Sequence, residues 1–169
     1  GFGQTESGFP LTFITPEETA EAVSDEALRG RLASCGRVTP LLDQLAIIDR
    51  DGQECPAGEL GELVVQGSGV MKHYLGDPLA TAEVQVGGWH HTGDIGHLDD
   101  DGFLYISDRK RDLIISGGFN VFPYEVEQAL LSHPQVQECA VVGIPHAKWG
   151  EQVTGVVELV PGGHLEPEE

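Results

Sequence analysis

Several short stretches of this chain carry side chains suited to handling charge. Gly1-Phe-Gly-Gln-Thr-Glu-Ser-Gly8 is a glycine-rich loop that sets the hydroxyl of Thr5 beside the carboxylate of Glu6. Trp89-His-His-Thr-Gly-Asp94, Asp108-Arg-Lys-Arg111 and Ser116-Gly-Gly-Phe119 follow along the chain. A further stretch, Gly67-Ser-Gly69-Val-Met-Lys72, follows an expected strand as a dinucleotide fingerprint would. The third glycine of that fingerprint is missing, however, and Tyr74-Leu75 and Pro78 leave little room for the helix whose N-terminus would face a pyrophosphate. His90-His91 is a tempting metal pair, but adjacent residues on a strand point to opposite faces. Cys35, Cys55 and Cys139 are odd in number and lack CxxC or CxxH spacing, so neither a zinc site nor a disulfide framework is indicated. Free thiols in a reducing, cytoplasmic setting fit them best.

The elements that must position these groups are bounded first by composition. A length of 169 residues suits one domain or two small ones, and the apolar fraction is 40%. No window approaches the roughly 18 apolar residues that a membrane-spanning helix needs. The formal net charge is −19, from 28 acids against nine bases. Contact with phosphate backbones needs clustered Lys and Arg, so this balance argues against a general nucleic-acid binder and for solubility. The chain opens at Gly1 with no charged-then-apolar leader and closes on Pro-Glu-Glu, which leads us to expect a piece of something longer.

Along the chain, Pro16-Glu-Glu-Thr-Ala-Glu-Ala-Val23 has proline and acids where the positive end of a short helix would want them. Leu45–Ile48, Glu62–Gln66 and Phe103–Ile106 read as strands separated by glycine turns at Asp49–Gly52 and Asp99–Gly102. Strands at such short intervals predict a small antiparallel barrel or sheet over about residues 43–108. The character changes at Asp108-Arg-Lys-Arg111. Asp112–Ile115 is expected as a strand, a helix begins at Pro123 with Val126, Ala129 and Leu130 on one face, and Cys139–Val142 and Thr154–Leu159 are further strands. This order reads as the start of a separate α+β domain.

Taken in order, Gly3-Gln-Thr5-Glu6, Gly61-Glu-Leu-Val-Val with Gly67 and Tyr74-Leu75, Thr92-Gly-Asp94, Asp108-Arg109-Lys-Arg111-Asp112 and Ser116-Gly-Gly-Phe-Asn-Val-Phe-Pro-Tyr-Glu-Val-Glu127 resemble the acyl-adenylate-forming superfamily. That superfamily holds acyl-CoA synthetases, peptide-synthetase adenylation domains and luciferases. Any one motif alone is common; five in the family's order are specific, and they run over nearly the whole chain. The resemblance implies an α/β portion with a small β-barrel, followed by an incomplete α+β C-terminal domain. It divides the chain into residues 1–42, the residual part of a large AMP-binding domain; 43–109, its β-barrel subdomain; and 110–169, the start of the C-terminal domain. Outside their original domain, residues 1–42 are expected to lack partners for their apolar face.

The resemblance also implies roles. Activating a carboxylic acid with ATP puts charge on the α-phosphate as pyrophosphate leaves, so donors and a metal must meet it. Gly3 lies in the nucleotide loop, Thr5 matches the residue that contacts the phosphate, and Glu6 matches the one that helps hold Mg²⁺, a hard ion that prefers carboxylate oxygen. Asp94 matches the aspartate that accepts from the ribose hydroxyls, and Arg109 an arginine that reaches the nucleotide. Arg111 stands at the hinge about which the small domain swings; Asp or Lys is more usual there. Gly117 and Gly118 match glycines whose bare backbone lets the pantetheine arm of CoA pass. Trp149 matches an aromatic residue near the CoA tunnel in some members, with core packing an equal alternative. Phe119 stands where the family often has Glu.

The expected activity of the parent protein is therefore conversion of a fatty or aromatic acid, ATP and CoA into acyl-CoA, AMP and pyrophosphate. The post-hinge sequence looks more like acyl-CoA ligases than peptide-synthetase adenylation domains. An adenylation domain of another kind, or a non-catalytic nucleotide-binding piece, stands as the alternative. The chain's lysines are Lys72, Lys110 and Lys148, and none has the context of the family's catalytic lysine. The lysine, the phosphate loop and most of the acid pocket are expected outside these residues.

Overall fold

The computed structural model describes residues 1–8, 10–40 and 42–165. The chain divides into two compact units, Gly1–Ser107 and Asp108–Glu169.

The first unit opens with strands β1 (Phe2–Gly3) and β2 (Pro10–Phe13), joined by a single 3₁₀ turn at Thr5–Ser7. Strand β3 (Arg37–Val38) pairs antiparallel to β2 and completes a three-stranded sheet. Between them, helix α1 (Pro16–Ser24) starts on a reciprocal cap in which Thr15 and Glu18 satisfy each other's backbone N–H groups. Pro16 occupies the first helical position, where its missing N–H has no consequence. Leu11, Thr12 and Ala22 are fully buried, whereas Phe13, Val23, Leu32 and Val38 keep 44–60% of their surface exposed. The apolar face of residues 1–42 is thus covered only in part.

The second sheet runs β4 (Gln44–Ile48), β5 (Gly61–Gln66), β7 (Trp89–Leu98) and β6 (Gln85–Val86), with β8 (Leu104–Arg109) pairing β7 off this path. The pairs β4–β5, β5–β7 and β6–β7 are antiparallel. Its central strand, β5, is buried on both faces from Gly61 to Val65. Leu11 of the first sheet joins Leu42, Ile47, Leu63, Val65 and Leu104 in one apolar cluster. The acidic turns that the sequence marks at Asp49 and Asp99 have a shared construction: each aspartate Oδ1 accepts two backbone N–H groups of its own turn, at 2.8–3.0 Å. No long helix follows Gly67-Ser-Gly69; a turn does, and helix α2 (Pro78–Val84) starts only after the N-cap Asp77.

The second unit has a four-stranded sheet ordered β10-β9-β12-β11, from β9 (Ile114–Ser116), β10 (Phe119–Val121), β11 (Val136–His146) and β12 (Gly150–Leu159). Helix α3 (Pro123–Leu131) packs on β11. The strand expected at 112–115 is displaced: Lys110–Asp112 make a 3₁₀ turn and the strand begins at Ile114. Among the described residues no helix is long and apolar enough to cross a membrane.

Candidate nucleotide and acceptor site

The loop Gln4–Ser7 is rigid for a local reason. The Gln4 backbone N–H donates to Ser7 Oγ at 3.2 Å, and the Gln4 carbonyl accepts from Ser7 Oγ at 2.8 Å and Ser7 N at 3.1 Å. This knot leaves the Gln4 side chain aimed away from its own loop. Its Nε2 donates both protons to the Thr-Gly-Asp segment, to the Thr92 carbonyl at 2.9 Å and to Asp94 Oδ2 at 2.6 Å. Both partners are acceptors, which settles the orientation of the amide.

Asp94 reaches that position through an irregularity in β7. Glu62 pairs with Ile95 and Val64 with His91, so Leu63 of β5 alone faces Thr92, Gly93 and Asp94 of β7. The excess is accommodated at Thr92–Asp94, where Gly93 takes φ +70°. Thr92 Oγ1 fixes the bulge by donating to the Leu63 carbonyl at 2.8 Å and accepting from Asp94 N at 3.1 Å. Asp94 is only 2% exposed. A buried carboxylate held by a side-chain amide beside a hydroxyl-bearing loop suits recognition of a polyhydroxylic group with a phosphate attached.

Glu6 is held from the other side. Tyr74 Oη donates to Glu6 Oε1 at 2.8 Å, and Met71 N donates to the Glu6 carbonyl at 2.7 Å. The Tyr74 hydroxyl is pushed up in pKa, first by this hydrogen bond and then by burial. Gln85 Nε2 donates to the Met71 carbonyl at 3.0 Å and meets His90 Nδ1 at 3.2 Å. His90 is 3% exposed, and its Nε2 has no hydrogen-bond partner among the described residues. Burial pulls its pKa down, against an opposing pull from the charge of Glu6. His91 faces the other way, its Nδ1 2.8 Å from Glu62 Oε2.

A single carboxylate beside a hydroxyl fits Mg²⁺, which keeps several waters and is completed by substrate phosphate oxygens. A hollow of about 910 Å³ in the first unit, with Phe13, Arg37 and Trp89 in its wall, includes none of the residues to which the resemblance assigns a role.

Arg109, Arg111, Gly117, Gly118 and Trp149 belong to the second unit. Arg109 ends β8, its N–H donating to Asp108 Oδ1 at 2.8 Å. Arg111 lies in the 3₁₀ turn with its side chain 83% exposed and Nε 3.7 Å from Asp112 Oδ1. Gly117 and Gly118 form the turn between β9 and β10 at φ +59° and +86°. Gly117 N donates to the Trp149 carbonyl at 2.8 Å, and a Cβ on Gly117 would stand 2.9 Å from Trp149 Cε3. Around them Ser116, Phe119, Gln152 and Val153 line an open cleft of about 460 Å³. Its indole wall and bare backbone fit a slender, partly apolar arm such as pantetheine.

Sequence reasoning quoted Gln4 and Tyr74 inside motifs but gave them no work, and it missed Gln85. The signal for Gln4 was available: an amide next to Thr5-Glu6 in a loop too short to satisfy it. For Tyr74 the partner is distant in sequence, and no local pattern marks Gln85, whose partners His90 and Met71 it meets only across a turn and a short helix.

The motif order, the buried aspartate tied to a glycine-rich loop and the second α+β unit define the class of acyl-adenylate-forming proteins. The chain carries parts of two AMP-binding enzyme domains: residues 1–75 match the AMP-binding enzyme family model, and residues 125–169 match that of the AMP-binding enzyme C-terminal domain. Over 161 residues it is 44% identical to a 2-succinylbenzoate–CoA ligase of Geobacillus kaustophilus, covering 95% of this chain and 31% of that protein. Over 158 residues it is 44% identical to the medium/long-chain-fatty-acid–CoA ligase FadD8 of Mycobacterium tuberculosis, covering 94% of this chain and 26% of that protein. The solved structure of o-succinylbenzoate CoA synthetase from Bacillus subtilis, in complex with its acyl-adenylate intermediate, aligns with a TM-score of 0.70 at 40% identity, over 94% of this chain and 31% of that one. The mixed α/β class expected from the sequence is therefore the observed one. The chain spans about a third or less of the length of these relatives.

Proposed function

We propose that this chain supplies the ribose-, metal- and thiol-facing portion of an AMP-forming acid–CoA ligase acting on an aromatic or fatty acid. The observation that carries the reading is the Gln4–Asp94 hydrogen bond, which joins the Thr5-Glu6 loop to the Thr-Gly-Asp strand. In this reading Asp94 accepts from the ribose hydroxyls. Gly3 and Thr5 meet the α-phosphate, and Arg109 reaches the nucleotide. Glu6 holds Mg²⁺, which offsets phosphate charge while pyrophosphate leaves.

The second half-reaction assigns Arg111 to the hinge, and Gly117, Gly118 and Trp149 to the passage of the CoA arm. The division between Ser107 and Asp108 supports a domain boundary close to that hinge. Residues 1–42 would be the residual part of the large AMP-binding domain, 43–109 its β-barrel subdomain and 110–169 the start of the C-terminal domain. An aromatic or fatty substrate is supported by the relatives, a 2-succinylbenzoate–CoA ligase and a medium/long-chain-fatty-acid–CoA ligase.

The test is acid-dependent ATP–pyrophosphate exchange by the full-length polypeptide carrying this chain, against 2-succinylbenzoate, hydroxycinnamates and fatty acids, followed by thioester formation with CoA. Exchange and thioester with one acid class is the expected result. Exchange without thioester across the panel would move it to the adenylation domains or luciferases, and absence of exchange would overturn the reading.

A further inference from the structure

The segment between β5 and β7 touches the Glu6 loop more than its sequence foretells. It meets the loop twice: Met71 N holds the Glu6 carbonyl at 2.7 Å, and Tyr74 Oη holds Glu6 Oε1 at 2.8 Å. The segment is itself fixed at both ends. Tyr74 N donates to Thr81 Oγ1 at 2.9 Å, Thr81 Oγ1 donates to the Asp77 carbonyl at 2.7 Å, and Gln85 anchors the Met71 carbonyl at 3.0 Å. A glutamate on a three-residue 3₁₀ turn has three side-chain torsions to settle and no helix around it to settle them. A charge-assisted hydrogen bond from a ring that is anchored through its own backbone removes much of that freedom.

We propose that Tyr74 is a positioning residue for the Glu6 carboxylate, setting the orientation in which Glu6 meets Mg²⁺. The inference rests on the reading of Glu6 as the metal carboxylate. Groups that orient a metal's ligands change metal affinity without touching the metal. A tyrosine that merely packed beside the loop would need no hydroxyl, so the hydroxyl is the atom to remove.

The experiment is performed on the full-length polypeptide carrying this chain, with MgCl₂ as the titrant and ATP–pyrophosphate exchange as the readout. Tyr74→Phe should raise the Mg²⁺ concentration for half-maximal rate by about tenfold or more, with a smaller change in the rate at saturating Mg²⁺ and an unchanged melting temperature. Thr81→Val, which frees the Tyr74 backbone but keeps the ring, should shift the half-point the same way by less. Glu6→Gln should blunt the Mg²⁺ response, and adding Tyr74→Phe to it should change nothing further. An unshifted half-point in Tyr74→Phe, or an equal shift in the Glu6→Gln background, overturns the positioning role, while the blunted response of Glu6→Gln alone keeps the metal reading. A wild-type Mg²⁺ response in Glu6→Gln overturns the metal reading itself.

Discussion

Gln4 Nε2 stands 2.6 Å from Asp94 Oδ2, a bond across 90 residues of chain that makes one site of two motifs. Because Asp94 is buried, the donor is worth more than a surface amide would be. Gln4→Ala removes one donor from a buried carboxylate, and hydrogen bonds to charged groups contribute about 1.5–3 kcal/mol. The expected loss of unfolding free energy in urea lies in that range. Gln4→Glu should destabilise more, since two carboxylates would then face each other. An unchanged midpoint in both would mean that the clasp contributes nothing to the fold.

The two turn glycines of the second unit should respond differently to a methyl group. Both have positive φ, so Ala at either position meets left-handed strain of about 1–2 kcal/mol. At Gly118 nothing lies within 4 Å of a new Cβ, but at Gly117 the indole of Trp149 is 2.9 Å away. Gly117→Ala should therefore destabilise more than Gly118→Ala in denaturant unfolding, and Trp149→Ala should narrow the gap. Equal losses in both backgrounds would remove the steric argument.

Local signals explain which parts of this molecule were legible in its sequence. Pro16 with Glu17 and Glu18 marked α1, and the Asp49 and Asp99 turns marked the hairpins, because their partners lie within four residues. The strand at Ile114 starts two residues later than the sequence suggests, since Asp112 closes the 3₁₀ turn and Leu113 caps it, although Leu113 belongs to the apolar run with Ile114 and Ile115. Helix α2 was not foreseen; seven residues with alternating small side chains give no apolar face. The site residues were visible as motifs, yet the register irregularity that carries Asp94 to Gln4 depends on which strand lies beside β7. Pairing of that kind is set by tertiary structure, as are the contacts of Tyr74 and Gln85.

The hinge reading of Arg111 separates two half-reactions. Its side chain is 83% exposed and makes a long contact to Asp112, so the side chain itself should matter little. Arg111→Ala should leave both half-reactions within about twofold, the scale of a surface change of ±0.5 kcal/mol. Arg111→Pro fixes φ near −65° and should impede only the step that requires rotation. In the full-length polypeptide, pyrophosphate exchange should survive while thioester formation falls by an order of magnitude or more. Parallel losses in both steps would place Arg111 outside any hinge.

His90 gives a prediction whose sign can be worked through. Burial lowers its folded pKa below the unfolded value of about 6.5, with His91 acting in the same direction and Glu6 against it. Above about pH 6.5 the imidazole is neutral in both states and the depression has no effect on stability. As pH falls below that value the unfolded chain binds a proton that the folded chain does not, so stability drops until the folded pKa is reached. His90→Leu removes the titrating group together with the unpartnered Nε2. The variant should therefore lose less stability than the wild type between pH 7.5 and 5, with a slope difference of at most about 1.4 kcal/mol per pH unit. Carboxylates titrate in both proteins and cancel in the comparison of urea midpoints. Parallel curves would mean that His90 is protonated as readily folded as unfolded, which its burial argues against.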